Sequence, residues 1–580
     1  MSEFLFQYEK VNPISWAYLS SLLMIALFFK FNRFWSVRNL DLILLILLAP
    51  GLLVVQAGRR EYRQVRLEKG ELNRTQNEAA AALWKQEELE VARTAYTEPP
   101  AETAPSSATP PSPFAAVEVP ATTVGETIPD EGSHPAAETN PPLTELPKTS
   151  AALQELGKRE TAATDLLWRG YAGLLAVCGL LLIRLLFDPT MVRRPLLEPN
   201  MSTGGLLFLA AMLFVFLMAN VITSKVTVKD VSGAQGAKAI IGTETRTETE
   251  RLAAYRQHGP GYFMLHLLPS VITPAYPADA AALGAEVQPP GGPNSQPDAA
   301  LVAVSKTMAI LAHLAILAAM IFIGYWHFEN IKMGIGAATL YLMLPYTSQM
   351  TGHVDHVLPS ALLLWAIVLY RRPAMAGLLI GLAMSTFYYP FFLLPLWLSF
   401  YWQRGVMRFL TGLLVAVGAM VASLALVSGS LAEFWNLVQS MFGLWMPKVE
   451  GLEGIWANPY GWDPVYRLPV IAGCVALGGS LAIWPAQKNL GTLLSCSAAV
   501  MIAVQFWEGH GDGGGMYLAW FLPLALLTVF RPNLEDRVAL TVLGEDWFTR
   551  RRAKLAQSKR ATGGNKGSIA AFVPSSLGRG

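Results

Sequence analysis

Cysteine is almost absent: 580 residues hold three. Cys178, Cys474 and Cys496 each fall inside an apolar run, so neither a disulfide framework nor a thiolate metal centre can be built from them. Charge is scarce as well. Only 15% of the residues are Asp, Glu, Lys or Arg, and the formal net charge is +2, which excludes the broad basic surface that nucleic-acid binding requires. The first apolar run is expected to be an uncleaved anchor rather than a secretory leader, because Lys30, Arg33 and Arg38 follow it and no small-residue cleavage site does. What is abundant is apolar: 53% of the chain is hydrophobic and the mean hydropathy is +0.36. Several uninterrupted runs approach the ~20 residues that cross a hydrocarbon core as a helix. The expected fold class is an all-α polytopic membrane protein.

Taken in order, the runs Ile14–Phe29 and Leu40–Val55 form an N-terminal membrane hairpin within residues 1–57. Its charges conflict. Lys30, Arg33 and Arg38 turn its start outward, whereas Arg59, Arg60, Arg63 and Arg66 argue against placing its end outside. Residues 58–165 are expected to be a largely disordered linker: a polar, helix-compatible stretch to Tyr96 gives way to Pro, Ala, Thr, Ser and Glu up to Lys148. Such a composition cannot bury enough apolar area to offset backbone entropy.

The core spans residues 166–532. Its expected helices are Leu166–Phe187, Gly204–Ile222, Ser305–Tyr325, Met333–Tyr346, Val357–Tyr370, Met375–Phe387, Pro390–Trp402, Phe409–Val427, Leu468–Trp484, Leu490–Gln505 and Met516–Phe530. Short turns with Arg193, Arg194, Arg371, Arg372, Arg404, Arg408, Lys488 and Arg531 mark the cytoplasmic side by the positive-inside rule. A basic tail, residues 533–580, ends there. Localisation is expected in the plasma (inner) membrane with a cytoplasmic C-terminus. The halves Met375–Phe387 and Pro390–Trp402 are too short to span, so they read as a hairpin broken at Tyr388–Pro390. Non-helical backbone survives at depth only where protein or a water-filled cavity covers it.

This topology sends nearly every ionisable group of interest to one external face: Asp230, His353, Asp355, His356, Glu508, His510 and Asp512, with Lys225, Lys229 and Arg467. Such groups near a bilayer are costly and mark a pathway or a reaction. Each also has a plainer reading. His353 and His356 can share one helix face and ligate a metal, contact a phosphate or headgroup, or form an ordinary wet helix cap. No third ligand is spaced to complete a metal set. Asp230 is either a general base or a loop carboxylate beside Lys229. Trp456 and Trp462, in an aromatic-rich second external loop, are either an interfacial belt or a sugar-stacking surface. Tyr388 and Tyr389 are helix-end aromatics or cavity lining.

The central region resembles a known family. Gly352-His353-Val354-Asp355, Arg371-Arg372-Pro373, Ala376-Gly377-Leu378-Leu379-Ile380-Gly381-Leu382-Ala383, Pro390-Phe391-Phe392-Leu393-Leu394-Pro395 and Met516-Tyr517-Leu518-Ala519-Trp520-Phe521-Leu522-Pro523 occur in an order similar to that of bacterial polyprenyl-phosphate-mannose-dependent mannosyltransferases of the GT-C superfamily. The likeness runs from about Gly204 to Pro532. It implies a GT-C-like bundle of about 12–13 spanning or half-spanning helices. It also implies inverting transfer of a hexose such as mannose from a polyprenyl-phosphate donor to a glycan, lipid or protein acceptor at the external face. Asp230 sits where the family keeps its catalytic carboxylate. On the same resemblance His353, His356, Lys229 and Arg467 would contact the donor phosphate. Asp355, Tyr388, Tyr389, Trp456, Trp462, Glu508, His510 and Asp512 would face the cavity and the sugar. One departure stands out: many relatives carry Lys before the proline where this chain has Phe387, Tyr388 and Tyr389. No residue set is assigned as metal ligands, and a divalent cation stays open. Two other classes compete, a lipid or solute transporter and a non-enzymatic scaffold. A transporter of the inverted-repeat kind would show a second helix break, and none recurs.

Overall fold

The computed structural model describes residues 12–97, 146–191, 197–224, 226, 228–240, 258–270, 299–444, 451–457, 461–509 and 515–544. Among them there is no strand, only one isolated bridge between Asn489 and Val538. Among the described residues five helices are long and apolar enough to cross a membrane, and six shorter apolar helices accompany them. Two of the long ones, α4 and α13 below, have apolar windows only 28% and 22% buried. Phe208, Val215, Leu414 and Val415 on these helices are each more than half exposed. Apolar faces turned outward over whole spans are favourable in hydrocarbon and unfavourable in water.

The chain opens with α1 (Pro13–Phe28), capped by Asn12, whose side chain accepts from the Ile14 amide. Then come α2 (Val37–Thr97), α3 (Leu146–Phe187) and α4 (Thr203–Thr223), the last capped by Ser202. Two short helices follow, α5 (Val228–Ile240) and α6 (Pro260–Ser270). The bundle continues with α7 (Ala299–Trp326), α8 (Ile331–Met343), the single-turn α9 (Pro345–Gln349), α10 (Val354–Val368) and α11 (Pro373–Thr386). It closes with α12 (Leu394–Tyr401), α13 (Val406–Val427), α14 (Leu431–Phe442), α15 (Arg467–Ser480), α16 (Leu490–Gln505), α17 (Leu522–Phe530) and a final turn, α18 (Ala539–Val542).

Residues up to Ala57 and from Asp165 onward form one compact unit; Gly58–Thr164 form a second. In the second, the described parts of the segment expected to be a linker are helical. Arg159 bridges Glu61 and Glu68 at 2.7 and 2.8 Å, and Lys69 meets Glu160 at 2.8 Å. Val65 and Leu156 are buried there. The Ala, Glu, Gln, Arg and Lys of residues 68–93 are strong helix formers, which explains a helix where no apolar periodicity announces one. The Pro-rich part of that segment, residues 98–145, and the basic tail from 545 onward lie outside the described residues.

The first unit has two distinct ends. At the basic end lies a buried ionic network. Arg184 meets Asp41 at 2.7 Å and Asp188 at 3.2 Å, and Arg531 meets Asp188 at 2.5 Å. Asp188 is wholly buried, and Asp41 and Arg531 nearly so. Lys30 donates to Asn200 Oδ1 at 2.5 Å, and Asn200 returns its amide to the Ala26 carbonyl at 3.1 Å. These bonds fix the N-terminal hairpin with its turn at the same end as the Asp188–Asn200 connection. From there the helices alternate. α7 ends where His327 meets the Val368 carbonyl in the last turn of α10 at 2.9 Å, and Tyr401 at the end of α12 donates to the Tyr370 carbonyl at 2.6 Å. The opposite, loop end gathers α5, α6, the start of α10, Trp507 after α16 and Tyr517 before α17.

α11 and α13 pack with their backbones in close approach. A methyl group at Gly377 would overlap the Phe409 carbonyl, and one at Gly412 would overlap that of Ala374. Small residues spaced four apart, Gly377 with Gly381 and Gly412 with Ala416, let these backbones touch where no water drives apolar association. The expected break is present: α11 stops at Thr386, Phe387 is extended, and a 3-10 turn, Tyr389–Leu393, leads into α12. Protein covers it. Tyr389 and Phe387 are buried.

Candidate functional site

Asp230 stands in the first turn of α5, where the helix dipole favours a carboxylate. α5 is held on two sides. Val226, Val231 and Ala234 pack with Leu301, Val302 and Val304 at the head of α7. On the other side, Gly233 faces His266 and Gly236 faces Phe263 of α6. α6 is itself locked to the break: the Gly259 amide donates to the Thr386 carbonyl at 2.9 Å, and any Cβ at Gly259 would strike the Ser385 carbonyl. The Gly259-Pro260-Gly261 sequence is what lets the first loop lie directly on the end of α11. Gly259→Val should therefore lower stability by about 1–3 kcal/mol through overpacking. Thermal unfolding of purified protein checks this, and an unchanged Tm would refute the close docking.

From the other side of the chain comes His353, the N-cap of α10. Its Nδ1 lies 2.6 Å from Asp230 Oδ1, with side chains only 25% and 11% exposed. A partly shielded carboxylate–imidazole pair is thus assembled from two segments far apart in sequence. One turn on, His356 is fully buried and its Nδ1 pairs with the Tyr346 hydroxyl at 2.5 Å. Its ring lies 4.4 Å from that of Tyr517, which stacks on Trp520 at 4.4 Å. Trp520 donates to the Asp355 carbonyl at 3.0 Å and packs against Phe387 and Tyr389. Tyr389 continues to Trp507 at 5.2 Å. An aromatic wall therefore leads from the imidazoles along the helix break.

α6 supplies the opposite side. His258 stacks on Tyr262 at 4.2 Å and meets Phe387 edge-on at 5.2 Å. Burial, reinforced by the Asp355 and Asp230 carboxylates, holds the Tyr262 phenol well above its ordinary pKa, so it stays a neutral hydroxyl. Burial pushes the His266 imidazole down to about 4, against the Tyr262 carbonyl and Asp355, which raise it. It is neutral near pH 7. His266 Nδ1 lies 2.7 Å from that Tyr262 carbonyl. Asp355 Oδ2 and His266 Nε2 are buried and have no hydrogen-bond partner among the described residues. Unpaired buried polar atoms are unfavourable by about 1–3 kcal/mol each, and a polar ligand or water relieves them.

The remaining expected site residues divide. Arg467, 2% exposed, donates through Nε and Nη2 to the Trp507 carbonyl at 3.1 and 2.9 Å. With buried Glu508 and with Tyr388, whose ring lies 6.0 Å from that of Trp507, it forms a second polar cluster at the far side of the aromatic wall. Trp456 is 1% exposed and gives its N–H to the Phe506 carbonyl, so it is a packing element of the connection between α14 and α15. Trp462 meets it edge-on and presents a half-exposed ring. Lys225, His510 and Asp512 lie outside the described residues, as does the side chain of Lys229. Among the described residues no three His, Cys, Asp or Glu side chains converge as metal ligands.

Sequence reasoning passed over several neighbours. Tyr346, Tyr517 and Trp520 sit at helix ends, where an aromatic reads as an interfacial anchor. Tyr262 and His258 were visible only as part of the Gly-Pro-Gly segment, and His266 follows Tyr262 by one helical turn. Lys306 is the least obvious: it lies inside an apolar helix, 7% exposed, and donates to the Ile222 carbonyl at 2.6 Å, beside the point where α4 gives way to α5. A lysine within an expected span was itself the available signal.

The site thus combines a proton-accepting pair, neutral hydroxyl and imidazole donors, and an aromatic wall along a helix break. Compared with known protein families, with curated proteins and with solved structures, the chain matches none.

Proposed function

We propose that the protein is a membrane glycosyltransferase that moves a hexose from a polyprenyl-phosphate donor to a hydroxyl acceptor at the loop end. The observation that carries this reading is the 2.6 Å contact between Asp230 and His353 at the mouth of an apolar bundle. A carboxylate placed there, partly shielded from water, is suited to take a proton from a weakly acidic hydroxyl.

In the proposed step the acceptor oxygen attacks the anomeric carbon as Asp230 accepts its proton. The bond from that carbon to the phosphate oxygen breaks with inversion, and the electron pair leaves on the polyprenyl phosphate. His353 donates to Asp230 and holds its orientation. His356, fixed by Tyr346, and Lys306 at the head of α7 supply hydrogen bonds or charge to the departing phosphate. This offsets the missing lysine before Pro390. Asp355 Oδ2 and His266 Nε2 are suited to sugar hydroxyls, and Tyr388, Tyr389, Tyr517 and Trp520 to the ring face and the first prenyl units. On this reading the loop end faces the outside of the plasma membrane and the basic end the cytoplasm.

The test is turnover by purified protein reconstituted in liposomes with polyprenyl-phosphate mannose or glucose, with and without chelator. Release of polyprenyl phosphate together with a glycosylated acceptor is expected. Translocation of intact donor without cleavage would instead make the protein a flippase.

A further inference from the structure

At the basic end, well away from Asp230, a cavity of about 420 Å³ opens between the end of α12, the connection before α16 and the α18 turn. Its polar lining comes from Ser399, Gln403, Gln487 and Lys488. Lys488 is only 7% exposed. Its ammonium donates to the carbonyls of Ala482 at 3.1 Å and Pro485 at 2.9 Å, and the Ser399 hydroxyl shares the first of these acceptors at 2.6 Å. An ammonium has three donors, and two here go to neutral oxygens. No carboxylate lines the cavity among the described residues. A buried cation with only carbonyl partners is incomplete, and burial lowers the Lys488 pKa accordingly. An anion against it would offset that penalty.

The surroundings say where the anion comes from. Of the lining residues Trp402 is 72% exposed and Leu540 46%, and in the connection that leads to Ala486, Ile483 is 81% and Trp484 40% exposed. Indole rings beside a basic turn are the pattern of a membrane–water interface. Arg404 clamps the outer wall by donating to the Leu540 and Leu543 carbonyls, both at 2.7 Å. The chain that leaves this wall continues through Arg550, Arg551, Arg552, Lys554, Lys559 and Arg560. It is a basic segment and cannot fill a cationic cavity, but it complements the same anionic surface.

We propose that this cavity seats the phosphodiester headgroup of an anionic phospholipid from the leaflet at the basic end, with Lys488 as its charge partner and the Trp402–Leu540 rim against its acyl chains. The assignment stands apart from the glycosyl-transfer reading and is tested without it. Full-length protein in phosphatidylcholine nanodiscs, with and without phosphatidylglycerol, is unfolded thermally, and retained lipid is read by native mass spectrometry. Phosphatidylglycerol should raise Tm by about 3 °C. K488Q should abolish that rise and the retained lipid, while R408Q, a basic change outside the lining, keeps both. If K488Q fails to fold, the exposed lining changes Q487A and W402A carry the test. An equal rise in wild type and K488Q, an equal loss in R408Q, or the same rise from inorganic phosphate in phosphatidylcholine alone would each overturn the proposal.

Discussion

On the proposed glycosyl transfer, replacing Asp230 by Asn should lower turnover by about a thousand-fold with little change in donor KM. The asparagine keeps the shape and can still accept from His353 Nδ1 through its carbonyl oxygen, so the helix α5 and the docking of α6 survive; what disappears is the group able to take the acceptor's proton. An effect on kcat rather than KM is the signature of an interaction realised in the transition state. His353→Gln, which removes the partner at 2.6 Å but leaves the carboxylate, should be milder, about ten- to a hundred-fold. The reverse order would make the imidazole the base and Asp230 its orienting partner, as in triads built on histidine. Turnover of D230N within tenfold of wild type, in protein shown to be folded by its unfolding transition, would remove Asp230 from the chemistry altogether.

That pairing was half legible in the chain. Hydropathy and arginine placement located the apolar helices α3, α4, α7, α8, α10–α13 and α15–α17, because a span must be apolar for its whole length and its turns carry their charge locally; α5, α6 and α14, in segments expected to be loops, and the single turn α9 went unseen. The same signals also located the break at Tyr388–Pro390, since neither half is long enough to cross alone. Grouping Asp230 with His353 needed only the rule that alternate connections share a side. The contact itself depends on Gly233, Gly236 and Gly259, whose close approaches to His266, Phe263 and Ser385 leave no periodic trace. Trp456 shows the converse. In composition it is one of a row of tryptophans between α14 and α15, and nothing local distinguishes the ring that is buried on the Phe506 carbonyl from Trp462, which is not. The helices of the Gly58–Thr164 unit were legible only in part: the stretch to Tyr96 reads as helix-compatible because its residues favour helix one by one, yet it lacks the apolar stripe that would have set it apart from a linker.

The N-terminal hairpin was the least legible element, and it yields the largest expected effect on stability. Asp188 joins Arg184 and Arg531, and Arg184 carries the linkage on to Asp41, so one buried network ties α2, α3 and the end of α17 together. Only the Arg184–Asp188 pair, four residues apart, is local; Asp41 and Arg531 come from opposite ends of the chain, so nothing local announces the whole network. Asp188→Ala would leave Arg531, only 4% exposed, without its carboxylate, while Arg184 keeps Asp41. Breaking a buried network this way is destabilising by about 3–5 kcal/mol, since the uncompensated charge stays desolvated. The exposed pair Arg74–Glu78, by contrast, should be worth under about 0.5 kcal/mol. Replacing the acid and one base together, in Asp188→Leu with Arg531→Met, removes the unpaired charge on that side and should recover part of the loss. Thermal unfolding in one detergent, with all four proteins at equal concentration, measures the series. A fall no larger for Asp188→Ala than for Glu78→Ala would mean that the network does not hold the hairpin to the bundle.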